Sequence, residues 1–137
     1  MISVSLYAED IAELGDFKPA DRPAIVIAQT AALIADLREM HIEALQPKID
    51  HAIKRIDEGK FETPLVGMRD GRIDWVAGAH LVEAAHAREL ITIPVQTVES
   101  MAHDLLQLVG ADGDQAAVAM EAEQTYDFST CGSLALY

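Results

Sequence analysis

The stretch 64-PLVGMRDGRIDWVAGAHLVEAAHARELITIPVQTV-98 decides how this chain is read. It opens with a short apolar run, Leu65 to Met68, followed by Arg69-Asp70-Gly71, where Asp-Gly between apolar runs signals a hairpin turn. A second run, Arg72 to Ala77, places Ile73, Trp75 and Ala77 on one face and ends at Gly78. Ala79 to Leu90 then carries Leu81, Val82, Ala85 and Leu90 at helical spacing, and Ile93 to Val98 reads as a strand entered through Pro94. Strand, turn, strand, helix, strand is the expected order. The Gly78 corner is the place to look for function, because a helix opening there presents unpaired N–H groups and the positive end of its dipole to an anion.

Outward from this segment the pattern is mainly helical. Ile2, Val4 and Leu6 alternate with Ser3, Ser5 and Tyr7, which predicts a half-buried strand. Glu9 to Pro23 is polar, contains Gly15 and Pro19, and reads as a short helical turn and loop. Ile27, Ala31, Ile34, Leu37 and Met40 follow near-helical spacing, predicting a long helix over Ala24–Leu45 that Pro47 ends or kinks. A second helix, Lys48 to Glu58, places Ile49, Ala52, Ile53 and Ile56 on one face and stops at Gly59. Beyond Val98, helices are expected at Ser100–Val109 and Asp114–Thr125, joined by Gly110-Ala-Asp-Gly113, with an extended or frayed tail from Tyr126. The fold class expected is α+β, a small mixed β-sheet flanked by helices, in a single domain over 1–137 with a helical C-terminal extension at about 99–137.

Composition narrows the partners. The chain has 137 residues, half of them apolar, which suffices for one core; with one Trp, three Phe and three Tyr, aliphatic side chains must fill it. Ten basic residues face twenty-three acidic ones, a net charge of −13. Nucleic acid is held through phosphate contacts from Lys and Arg, so direct nucleic-acid binding is not expected. Acidity of this size keeps a protein soluble, and it also fits an acidic face that competes for a nucleic-acid site on another protein. No apolar run reaches the roughly 18 residues of a membrane span, the N-terminus lacks a signal-peptide pattern, and the single cysteine, Cys131, fits a reducing cytoplasm.

Candidate chemistry centres on Gly78, Ala79 and His80: glycine permits a sharp turn and close approach of a ligand, and His80 adds a hydrogen bond or a pH-sensitive charge. A plain strand–helix corner with a surface histidine is the alternative. His80, Glu83 and His86 form H-x-x-E-x-x-H, but at i, i+3 and i+6 they spread over roughly 120° of the helix, so no metal site is expected from them. His41, His51 and His103 stand alone in the sequence. Asp112, Asp114 and Glu123 match three positions of a calcium loop, but Ala116 and Ala117 occupy positions that need an oxygen ligand and a glycine. Cys131 has no basic neighbour to activate it. No P-loop, dinucleotide fingerprint or nucleophile elbow is present.

Residues 41–98 resemble the N-terminal domain of the ParB partition proteins and the wider ParB/sulfiredoxin-like fold. The resemblance rests on the helix Lys48 to Glu58, Gly59, the strand Pro64-Leu-Val-Gly-Met68, the signature Gly78-Ala-His80-Leu-Val-Glu-Ala84-Ala85, and the strand Ile93-Pro94-Val95. It implies a nucleotide-phosphate site at the corner, for CTP or ATP with magnesium, with Gly78 as the turn glycine and His80 as a phosphate contact. Leu81 replaces the arginine that follows in the family, a change that removes about 1.5–3 kcal/mol of charge-assisted contact. Ala79 stands where sulfiredoxin carries its cysteine and the partition proteins a glutamate. The expectation is therefore a non-catalytic member, plasmid- or phage-associated, working through a protein partner or as a homo-oligomer. The alternatives are a nucleotide-binding enzyme using His80 and Glu83, with Arg69, Arg72 or Arg88 replacing the lost arginine, and an acidic inhibitor of a nucleic-acid enzyme.

Overall fold

The computed structural model describes residues 2–5, 23–110, 119–121, 127–128 and 134–135, with side chains described over 24–110. Within them the fold is mixed α+β. The main sheet runs β5-β4-β6-β2, built from β2 (Pro23–Gln29), β4 (Leu65–Arg69), β5 (Arg72–Ala77) and β6 (Thr92–Val98), with β7 (Ala119–Glu121) lying along the outer side of β2. β4 and β5 form an antiparallel hairpin, β4 runs parallel to β6, and β6 is antiparallel to β2 from Pro23↔Val98 to Gln29↔Thr92. A second small sheet has the order β3-β1-β8-β9, from β3 (Lys60–Glu62), β1 (Ile2–Ser5), β8 (Asp127–Phe128) and β9 (Leu134–Ala135). Four helices complete the described elements: α1 (Thr30–Glu39), α2 (Gln46–Asp57), α3 (Ala79–Ala87) and α4 (Glu99–Val109).

The central segment folds in the expected order, for local reasons. Asp70 and Gly71 have φ of 52° and 76°, and two consecutive positive values make the two-residue turn whose twist matches a hairpin. Arg69 and Arg72 close it as opposed residues. A register shift between Leu65 and Val66 separates the two ends of the hairpin: Ile73 and Trp75 join the main core, whereas Val76 and Ala77 pack with Leu65, Val98 and Met101. Gly59 adopts φ 82° after α2 and caps it, its N–H bonding to the Ile56 carbonyl.

The largest departure from expectation is the segment from Ala24. Residues 23–29 form a strand, and the helix occupies only Thr30–Glu39. Ala24, Ile25, Val26, Ile27 and Ala28 are all buried, so both faces of β2 are covered and no alternation survives to mark a strand. Three successive β-branched residues favour the extended state, and pairing along all of β6 secures it. The buried stripe of α1 is Thr30, Leu33 and Leu37, so Ala31 and Met40, expected inside, are exposed.

A second correction concerns the C-terminal extension. Helix α4 covers Glu99–Val109, but Ala119–Glu121, expected within a helix, is a strand paired with Ala24–Val26. The ladder groups on the free side of β2 favour the extended form at these residues, a contact invisible to local periodicity. Extended pairs at Asp127–Phe128 and Leu134–Ala135 complete the described C-terminal part. The expected loop at 9–22, Cys131 and most of the Asp112–Glu123 segment lie outside the described residues.

Candidate functional site

Gly78 is the N-cap of α3, with φ 94° and ψ 20°, and no side chain caps the helix. The Leu81 and Val82 N–H groups both turn to the Gly78 carbonyl, leaving the amides of Ala79 and His80 at the open end of the helix. The glycine has a packing reason besides its dihedral angles. A Cβ there would stand 2.8 Å from the Cα of Pro64 and 3.0 Å from a methyl of Leu81. Close approach of two backbone segments, rather than of a ligand, accounts for this residue.

His80 is half-buried at the first turn of α3. Its imidazole is held below the usual histidine range, first by burial and then by the nearby charges of Lys48 and His51. It borders a cavity of about 80 Å³ whose other walls are His51, Ala52 and Arg55 of α2, Lys60, Phe61 and Glu62 of β3, and Leu81. That volume compares with roughly 300–1,000 Å³ for pockets enclosing drug-sized ligands, so a whole nucleotide does not fit inside.

Glu83 does not share this cavity. Its carboxylate takes hydrogen bonds of 2.5 and 2.9 Å from the two terminal nitrogens of Arg38 on α1, which hold it below the usual glutamate range against the opposing effect of burial. It faces a separate open groove of about 420 Å³ between α1 and α2, lined also by Leu37, His41, Ile42 and Ile49. His80 and Glu83, adjacent on the helix surface, therefore serve different surroundings.

The expected arginines are elsewhere as well. Arg69 and Arg72 flank the hairpin turn, and Gly78 follows the far end of β5; six strand residues at about 3.3 Å each put roughly 20 Å between them. Arg69 lies 3.8 Å from Asp74, and Arg72 pairs with Glu39 at 3.2 Å. Arg88, past the C-terminal end of α3, grips Asp57 with two hydrogen bonds of 2.7 Å. Arg69, Arg72 and Arg88, each beside a carboxylate away from the start of α3, therefore do not join Gly78 and His80.

The cations that do reach the corner come from α2 and β3. Lys48, His51 and Arg55 recur at i, i+3 and i+7 and fall within roughly 60° of arc on one flank of α2. Its buried side is Ala52 and Ile56. The sequence reading leaves His51 isolated and passes over Lys48 and Arg55; their helical spacing is the signal that points to them, and it takes on meaning where α2 lies beside the start of α3. Among the described residues no group of three or more His, Cys, Asp or Glu side chains converges to hold a metal ion, and no helix is long and apolar enough to cross a membrane.

No family model, no curated protein and no solved structure matches this chain.

Proposed function

We propose that this chain is a divergent ParB/sulfiredoxin-like protein that works by binding and not by catalysis, through contacts with a protein partner or with further copies of itself. The order α2, Gly59, β3, β4, β5, Gly78, α3, β6, with the short β3 added between Gly59 and β4, supports the likeness. One observation carries the non-catalytic reading: Glu83, the acid–base candidate of the corner, is locked by Arg38 and turned to another groove, leaving His80 beside a cavity too small for a nucleotide. A general base needs to lie within hydrogen-bond reach of the proton it moves, and Glu83, bound to Arg38, does not share the His80 cavity.

Nucleotide binding at the corner is the second reading, favoured by the uncapped amides of α3 beside His80. A thermal-shift series with CTP, ATP, ADP and GTP, with and without magnesium, separates the two. A ligand at 100 times its dissociation constant stabilises a fold by about 2.7 kcal/mol. The expected result is that no nucleotide at millimolar concentration stabilises the protein beyond the same concentration of inorganic phosphate. A nucleotide-specific shift well above the phosphate baseline overturns the non-catalytic reading.

A further inference from the structure

Among the described strands the main sheet has an open side at β5. β5 pairs with β4 and has no strand beyond it, whereas β4, β6 and β2 are each paired on both sides. Arg69 and Arg72 flank the two-residue turn as its hydrogen-bonded pair, so Arg72 and Asp74 turn their backbone groups to β4. Ile73 and Trp75 therefore turn theirs outward along the open side. Apolar surface continues beside them: Trp75, Val76 and Ala77 are half-buried, and Met40, whose Sδ accepts a bond of 3.3 Å from Arg72, is 44 % exposed.

We propose that two copies of the chain meet at this edge, β5 pairing antiparallel with β5 of the second copy about a two-fold axis, Ile73 opposite Ile73. This rests on the reading that the chain works by binding, and it names the surface and the partner. Three two-fold registers use the outward groups of Ile73 and Trp75, and side-chain charge chooses among them. Centred on Asp74, the pairing sets two carboxylates directly opposite each other, which is destabilising. Centred on Trp75, it sets Asp74 against Val76 and runs into the register shift beside Val76. Centred on Ile73, it sets Arg72 opposite Asp74 of the second copy and Asp74 opposite its Arg72, two ion pairs between directly facing residues.

Charged residues on an open strand ordinarily keep other strands away. Arg72 and Asp74 do so against most sequences, but their opposite signs, two residues apart on one face, make this edge complementary to itself. Neither charge is committed to a buried pair. The Arg72 side chain is 50 % exposed and lies 3.2 Å from Glu39; that of Asp74 is 39 % exposed and lies 3.8 Å from Arg69. Each can take a partner from a second copy at little cost. The Ile73 pair adds two backbone bonds, and two-fold closure leaves β5 no free edge for further growth.

Sedimentation velocity of the full chain from about 10 µM to 1 mM should show a monomer–dimer equilibrium with a dissociation constant on the order of 100 µM, the weak end for a small interface. In the unaltered protein, hydrogen exchange of the Ile73 amide should slow as concentration rises across that range. Arg72→Asp and Asp74→Arg should each weaken self-association at least about tenfold, because each sets like charges opposite one another. Mixed in equal amounts, the two variants should recover the unaltered affinity to within about threefold, since every contact between unlike variants again joins an acid and a base. Loss of folding cannot produce that recovery. A monomer throughout the range, an Ile73 amide indifferent to concentration, single variants that dimerise as the unaltered protein does, or a mixture no tighter than its components would each overturn the proposal. The nucleotide thermal-shift series tests the non-catalytic reading separately, because it reads bound ligand and not self-association.

Discussion

Arg38 on α1 grips Glu83 on α3 through paired hydrogen bonds of 2.5 and 2.9 Å, joining residues 45 apart in sequence. The bond ties α1 across α3 and takes a carboxylate out of the corner's chemistry. Because the Glu83 carboxyl is held below its ordinary value of 4.5, it contributes stability that is present above that value and lost as the pH falls through the folded-state pKa. The Arg38 side chain is 56 % exposed, so solvent screening limits the contribution to about 1 kcal/mol or less. Glu83→Gln should therefore be slightly less stable at pH 7 and lose less stability than the unaltered protein between about pH 5 and 3. Urea denaturation across that range measures it.

His80 has the opposite charge type but the same direction with acid. Its folded-state pKa is depressed below 6.5, so the unfolded chain takes up the proton first and stability falls as the pH drops below 6.5 toward the folded value. His80→Gln should flatten that part of the stability profile in chloride buffer. Denaturation midpoints at pH 7.5, 6.5 and 5.5 for the two proteins test this statement.

Two glycines should respond differently to substitution. Gly78→Ala places a Cβ against the Pro64 backbone at φ 94°, and strain plus overpacking should cost at least about 2 kcal/mol. Gly71, at φ 76°, has nothing within 4 Å of the added atom, and asparagine tolerates that backbone region. Gly71→Asn should cost under about 1 kcal/mol. Chemical denaturation with unchanged m-values would establish the contrast.

The indole of Trp75 donates to the Asp36 carboxylate at 2.7 Å, joining β5 to α1. Asp36→Ala leaves a part-buried donor unpaired and should cost about 1–3 kcal/mol, whereas Asp36→Asn keeps an acceptor and should cost less. Trp75 is the only tryptophan, so its emission maximum reports the same site: a red shift is expected in Asp36→Ala and little change in Asp36→Asn.

Legibility in the sequence followed the range of the interaction that decides each element. The Asp70-Gly71 turn, the Gly59 cap, the apolar face of α2 and the break at Gly78 are set by neighbours within a few residues, and all were readable. Segment 23–29 is not legible as a strand because its burial on both faces erases the alternation, and the spacing of Ile27, Ala31, Ile34 and Leu37 imitates a helix. At the candidate site Gly78 and His80 were visible, whereas His51 looked isolated and Arg55 and Lys60 carried no local motif. Their shared cavity depends on α2 and β3 meeting α3, a contact between segments some twenty residues or more apart.

By itself, then, the sequence determined the hairpin, the sharp corner at Gly78 and the apolar face of α2, because backbone sterics and helical periodicity act locally. Tertiary structure decided the rest: that Ala24–Ala28 extends along β6, that Glu83 is claimed by Arg38 while Arg69 and Arg72 stay at the distant turn, and that His51, Arg55 and Lys60 line one cavity with His80. The physical reason is that ladder pairing, ion pairing and cavity formation depend on distances in space, which local sequence spacing does not encode. The corner at Gly78 is where the two kinds of information meet: local backbone conformation makes the turn, and distant α2 supplies its charge.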